Sequence, residues 1–190
     1  THYILNEMEL GKRKHMKIKD YIKSYKDFPI AGIDFKDISS LCNSNGLKLA
    51  CDKIEQQLVF HICNSKPKVL ALDARGFIFG SIIADRNDLN LVLCRKKGKL
   101  PGETIAKDLQ LEYNKSTLEI QKDTIKTNDE IIIIDDLMAT GGTVLAAIEM
   151  VKELGGNIAA VACIIDLPYL GGSNKIKELN IPFYSSVKYD

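Results

Sequence analysis

Apolar and polar positions change period along this chain, and the changes divide it into elements. Leu47, Ala50, Ile54, Leu58 and Ile62 recur at helical spacing and predict an amphipathic helix that ends before Pro67. The apolar run from Val69 to Leu72 predicts a strand, Phe77 to Ala84 a helix, and Leu89 to Cys94 another strand. From Arg95 to Asn114 apolar residues thin out among glycines, lysines and acids, which predicts a long loop. Loops of that length are often active-site lids. Leu118 to Gln121 predicts a short strand. The run Ile131 to Ile134 is β-branched throughout and predicts a strand buried on both faces. Val144, Leu145, Ile148, Val151 and Leu154 then keep helical spacing. A strand from Ile158 to Ile165, a short helix near Ser173 to Leu179 and a strand from Phe183 to Val187 follow. Near the start, Asp27-Phe28-Pro29 signals a turn before an extended stretch through Ile38. Residues 1–20 form a polar, basic leader without a clear period, compatible with irregular chain or an extra helix. Strands and helices alternate, so the expected class is α/β, with a mostly parallel sheet of about five strands flanked by helices.

The chemistry concentrates at Ile131 to Thr143. Asp135 and Asp136 stand at the carboxyl end of the predicted strand, where open α/β sheets bind their ligands. Ala139-Thr140-Gly141-Gly142-Thr143 follows and opens a helix. Glycines let the backbone approach a ligand closely, and successive N–H groups at a helix start attract an anion. Thr140 and Thr143 add hydroxyl donors. The two acids would repel a phosphate, so they suit sugar hydroxyls or a divalent cation reached through water. Strand, acids and cradle together describe a site for a sugar 5-phosphate.

Composition narrows the setting. The 190 residues carry 26 Lys+Arg against 25 Asp+Glu, so no global charge draws the chain to nucleic acid or membrane. No apolar run approaches a membrane span. Cys42, Cys51, Cys63, Cys94 and Cys163 form no CxxC pair, and most lie in apolar surroundings, as free thiols of a reducing cytoplasm do. His2, His15 and His61 are not spaced as zinc ligands. Electrostatic work must therefore be local. Arg75, in the turn between a predicted strand and helix, would aim a guanidinium at the ligand crevice as a bidentate partner for pyrophosphate. Arg95-Lys96-Lys97-Gly98-Lys99 packs four cations into five positions at the same sheet edge. Lys96 and Lys99 are the candidates there for pyrophosphate contacts.

The segment Ile131–Thr143 resembles the phosphoribosyl-pyrophosphate (PRPP) signature of the type I phosphoribosyltransferases. That resemblance implies the type I phosphoribosyltransferase fold, with a small N-terminal base-binding hood and a flexible lid loop. It places Asp135 and Asp136 on the ribose hydroxyls and Ala139, Thr140, Gly141, Gly142 and Thr143 on the 5-phosphate. It also implies a cis peptide bond between Asp73 and Ala74, in the turn that holds pyrophosphate. The chain divides accordingly into a leader at 1–20 and one domain at 21–190, with the hood at about 21–40 and the lid at about 95–114.

Arg-Lys-x-Gly-Lys-Leu-Pro-Gly from Arg95, Leu111-Glu112-Tyr113, and Leu118 to Asp123 are similar to one branch of that family, the adenine phosphoribosyltransferases. Phe28 to Ile38 is the counterpart of the branch's base-binding segment. Phe35 would stack on the purine, and backbone groups at Asp34 and Lys36 would read the adenine edge. The implied reaction converts adenine and PRPP to AMP and pyrophosphate. Mg2+ is carried by PRPP, near Asp135 and Asp136, rather than held in a protein cage. Glu112 is the acid/base candidate, Tyr113 would cover the ribosyl centre, and Arg75 would stabilise the departing pyrophosphate. A homodimer is implied as well. The chain departs from the branch at Ala31 (usually proline), Asp34 (usually apolar), Lys36 (usually arginine) and Asn114 (usually glycine). Rival readings are a transferase for another purine and a non-catalytic PRPP-sensing regulator. A dinucleotide-binding protein is disfavoured because no GxGxxG follows the first strand.

Overall fold

The structure, a computed structural model, describes residues 16–109 and 116–190. Glu112, Tyr113 and Asn114 lie outside the described residues, as does most of the leader. Contacts divide the chain into two compact units that meet between Leu49 and Ala50.

In the first unit, strands β1 (Lys23–Lys26) and β2 (Asp34–Asp37) pair antiparallel, with Tyr25 opposite Phe35. The connection turns through a cis Phe28–Pro29 bond and Gly32 at φ 88°. Asp27 closes it by accepting the Gly32 N–H at 2.7 Å. The extended stretch expected through Ile38 is therefore confined to β2, because turn hydrogen bonds such as Ile33 N–H to Ile30 C=O occupy the residues before it. A short helix, α1 (Ser39–Cys42), follows. The Asp37 carboxylate accepts the Ser39 N–H and hydroxyl, an Asx-type turn into that helix.

The second unit is built on a sheet of seven strands rather than about five. Strands β3 (Lys68–Leu72), β4 (Leu91–Lys96), β7 (Glu130–Met138), β8 (Asn157–Asp166) and β9 (Phe183–Lys188) run parallel, in the order β4-β3-β7-β8-β9. The strands beyond that expectation form a hairpin, β5 (Thr104–Leu109) and β6 (Ser116–Gln121), added antiparallel at the β4 edge. Strand β5 lies within the stretch expected to be all loop. Its residues alternate between half-buried and exposed, and Lys107 and Asp108 are poor strand formers, so pairing with β6 rather than propensity makes the strand.

Helix α2 (Gly46–Ser65) straddles the unit boundary, and from Ala50 onward it lies along β9. Helix α3 (Gly76–Arg86) covers β3, where Gly80 lets helix and sheet approach. A Cβ at Gly80 would stand 2.6 Å from that of Ala71. Helix α4 (Gly142–Glu153) covers the opposite face through Val144, Ala147, Ile148 and Val151, and α5 (Gly172–Glu178) adds Ile176. Ile131 to Ile134 are fully buried, as a strand between two helical layers demands. Among the described residues no helix is long and apolar enough to cross a membrane.

Candidate functional site

The chemistry gathers at the carboxyl ends of β3, β4 and β7, which are neighbours in the sheet. Strand β7 runs on through Met138, so Asp135 and Asp136 lie within its last turns of pleat rather than after it. Successive strand residues face opposite ways, and the two acids have different environments. Asp136 is buried and pairs with Arg75, Nε to Oδ2 at 2.6 Å, while Arg75 stays about half exposed. Asp135 turns its Oδ1 back to accept the Asp136 N–H at 2.8 Å. Burial first, then the Asp136 charge, pushes the Asp135 carboxyl well above the ordinary carboxylate range, while Arg75 pulls the other way. Such a carboxylate gains most from new donors, such as sugar hydroxyls or a hydrated cation. Among the described residues no group of three or more His, Cys, Asp or Glu could cage a metal ion. A magnesium ion that keeps its waters and substrate phosphates, touching one or two carboxylates, fits this donor set.

The cradle after β7 follows the pattern the sequence led us to expect. Gly141 has φ 85° and begins helix α4, whose start carries no side-chain cap. Its backbone N–H groups are left for an anion. A Cβ at Gly142 would meet nothing within 4 Å, so that side of the loop opens to space a ligand can enter. Thr140 is exposed, and Ala139 and Thr143 are partly exposed. The loop is braced from behind by residues the sequence reading did not single out. Gly172 donates its N–H to the Ala139 carbonyl at 2.9 Å, and the Lys175 ammonium donates to the Thr140 carbonyl at 3.1 Å.

The turn after β3 contains the expected cis bond between Asp73 and Ala74. The Asp73 N–H is fastened to the Cys94 carbonyl of β4 at 2.9 Å. Its carboxylate reaches the Lys96 N–H and the Arg95 guanidinium, both at 3.4 Å. This turn and the basic segment are thus one structure. Lys96 and Lys99 themselves are exposed. Gly76 lets the turn pass β7 closely, since a Cβ there would stand 2.8 Å from the Ile134 carbonyl. Cys94 and Cys163 lie beneath the site, but burial raises both thiols, Cys94 to about 12, so neither is a thiolate nucleophile.

In the hairpin unit, Phe35 is half-buried and meets Phe28 edge to face, ring centres 5.2 Å apart. Lys36 is buried, with its ammonium on the Asp34 carboxylate at 2.7 Å and the Ser24 hydroxyl at 2.8 Å. The charge at Asp34 that departs from the family pattern is therefore offset within the hairpin.

A phosphate cradle, paired acids and a cation-rich turn on one edge of a parallel sheet define a phosphoribosyl transferase, and over residues 37–182 the chain matches the phosphoribosyl transferase domain family, to which it belongs. Its relatives narrow the kind. The adenine phosphoribosyltransferase of Marinomonas sp. is 41% identical over 174 residues, 91% of this chain and 95% of that protein. The crystal structure of the adenine phosphoribosyltransferase of Rhodothermus marinus shares 36% identity and a TM-score of 0.82, covering 90% of this chain and 96% of that one. The Saccharomyces cerevisiae enzyme, solved with an imino-altritol bisphosphate and adenine, shares 32% identity and a TM-score of 0.82 at the same coverages, 90% and 96%.

Proposed function

We propose that this chain transfers the 5-phosphoribosyl group of PRPP to adenine, forming AMP and releasing pyrophosphate in purine salvage. The observation that carries the reading is the convergence of the Ala139–Thr143 cradle, the acids of β7 and the Arg75 turn at adjoining strand ends. The Marinomonas sp. and Rhodothermus marinus relatives, which match about nine-tenths of the chain, are adenine phosphoribosyltransferases.

In this reading the cradle holds the 5-phosphate through backbone N–H groups and the Thr140 and Thr143 hydroxyls. Asp135 accepts from the ribose hydroxyls, and Asp136 acts chiefly by holding Arg75 beside the leaving group. Bond breaking at the anomeric carbon develops positive charge on the ring and negative charge on pyrophosphate. Arg75, Lys96 and Lys99 meet the negative charge. Asp135 is the carboxylate that would meet a Mg2+ ion carried by PRPP, and such an ion would add to the neutralisation of the phosphates. Phe35 stacks on the base, and backbone groups at Asp34 and Lys36 read its edge. Glu112 relays the proton that adenine must lose, and Tyr113 shields the ribosyl centre from water. The five free cysteines suit a cytoplasmic setting. A homodimer is proposed on the resemblance alone, and sedimentation of the purified protein tests it. The activity is tested by incubating the protein with adenine, PRPP and Mg2+. AMP and pyrophosphate appearing in equal amounts is the expected result, and no AMP would reject the reading.

A further inference from the structure

Glu119 is a carboxylate in an apolar place. It lies between the buried Leu118 and Ile120 in β6, and it is itself only 4% exposed. An unsatisfied charge there would be costly, so what satisfies it matters. Its partners are the backbone of the basic segment. Oε1 accepts the N–H groups of Lys99 and Leu100, each at 3.0 Å, and Oε2 faces the Thr104 hydroxyl at 3.4 Å. Burial opposes its ionisation, but these donors and the Gly98 N–H outweigh burial and hold the carboxyl below its ordinary range.

The same turn is gripped from its other side. Arg95, which faces Glu119 across the β4–β6 register, donates from Nη1 to the Lys99 carbonyl at 3.2 Å. Its Nε reaches Asp73 in the cis-containing turn, and Asp73 also takes the Lys96 N–H. Gly98 at φ 81° lets the chain reverse between these anchors. The basic segment is thus a folded platform: Asp73 takes the Lys96 N–H, the Thr117 carbonyl that of Lys97, and the buried Glu119 carboxylate those of Lys99 and Leu100.

We propose that Glu119 is a positioning residue for the pyrophosphate half of the reaction: it fixes the turn at residues 98–100 and thereby sets Lys99, and with it Lys96, against the Arg75 turn. It touches no substrate and acts through backbone. The proposal rests on the reading that these lysines meet pyrophosphate.

The test compares Glu119→Gln, Lys99→Ala, Lys96→Ala and the Glu119→Gln/Lys99→Ala double variant in the whole chain. It measures KM for PRPP and for adenine, inhibition by pyrophosphate, and thermal stability. An amide accepts N–H bonds more weakly than a carboxylate, so Glu119→Gln is expected to raise KM for PRPP by about tenfold and to weaken pyrophosphate inhibition in parallel. KM for adenine should not move. Lys99→Ala should behave alike, and the double variant should be little worse than either single one, because both changes disable one platform. A purely structural Glu119 would instead lower the melting temperature and leave KM for PRPP alone, which overturns the proposal. Effects that multiply in the double variant overturn it too. If Lys99→Ala and Lys96→Ala both leave KM for PRPP unchanged, the lysine reading fails and the proposal with it. Should Glu119→Gln not fold, Thr104→Val removes one donor and leaves the carboxylate in place. A rise of about threefold in KM for PRPP is then expected, and no change counts against the role.

Discussion

Asp136 is buried on an ion pair with Arg75, whereas its neighbour Asp135 is pressed above its ordinary range by burial and by that neighbour's charge. Two adjacent acids of one motif thus have unlike surroundings. Asp136→Asn removes the charge that holds the guanidinium while leaving Asp135, the proposed ribose acceptor, in place. Loss of a charge-assisted pair of this kind should raise KM for PRPP by about tenfold or more for any base, read by steady-state kinetics. Glu112, proposed as the acid/base group, would carry a different signature. Glu112→Leu should depress kcat about a hundredfold with little change in either KM, and unchanged turnover would remove that assignment. Asp166 is a third case. It is fully buried at the end of β8, and burial raises its carboxyl above the ordinary range. The folded protein therefore holds its proton at a pH where the unfolded chain has lost it, and stability falls as pH rises through that window. Asp166→Asn should raise the melting temperature more at pH about 8 than at pH about 4, because the parent's cost of ionising the buried carboxyl grows as pH rises. Equal shifts at both would contradict the assignment.

Elements explain how such residues are held. The loop proposed to cradle the phosphate depends on α5, some thirty residues downstream in sequence, because Gly172 packs against it. A Cβ at Gly172 would stand within overlap distance of the Ala139 carbonyl and 2.7 Å from the Gly141 nitrogen. Gly172→Ala must therefore displace the cradle. It should cost about 1–3 kcal/mol by chemical denaturation and also raise KM for PRPP, while KM for adenine stays near the parent value. The cradle itself was legible in the sequence, since glycines and threonines after a β-branched run state their chemistry locally. Its brace was not, because nothing in Gly171-Gly172-Ser173 says which loop it will meet. The hairpin of β5 and β6 was hidden for a related reason. Strand β5 is a half-exposed edge with charged residues in it, and only its partner makes it a strand. Strands β3 and β7 are buried on both faces, so their runs of Val, Leu and Ile were plain.

Across the whole molecule, buried and half-buried carboxylates pull the pH dependence in opposite directions. Glu119 and Asp129 are held below the ordinary range, each against the opposing effect of burial. Asp129 owes this to Lys68, whose ammonium stands 2.6 Å away, and to the Lys126 N–H. Both groups contribute stability above the ordinary carboxylate range, and that stability is lost as pH falls through it towards their depressed values. Asp129→Asn should therefore cost about 2 kcal/mol at pH 7 and much less near pH 3, measured by denaturant unfolding at each pH. The ligand-facing edge was legible at this scale because a local motif marked each contributing strand end. What joins those ends was not legible. Asp73, Arg95 and Glu119 connect the Arg75 turn, the basic segment and β6 through contacts between distant positions, each residue looking ordinary where it stands.

Adenine is the expected acceptor of the phosphoribosyl group in preference to other bases, the Asp34 charge being offset by Lys36. The most direct measurement is kcat/KM for adenine, hypoxanthine, guanine and xanthine in a single PRPP- and Mg2+-dependent assay of the purified protein. An adenine value at least about a hundredfold above each of the others is expected of a site that reads the base edge by hydrogen bonds. Comparable or higher turnover of a 6-oxopurine, or no PRPP-dependent turnover of any base, would contradict it.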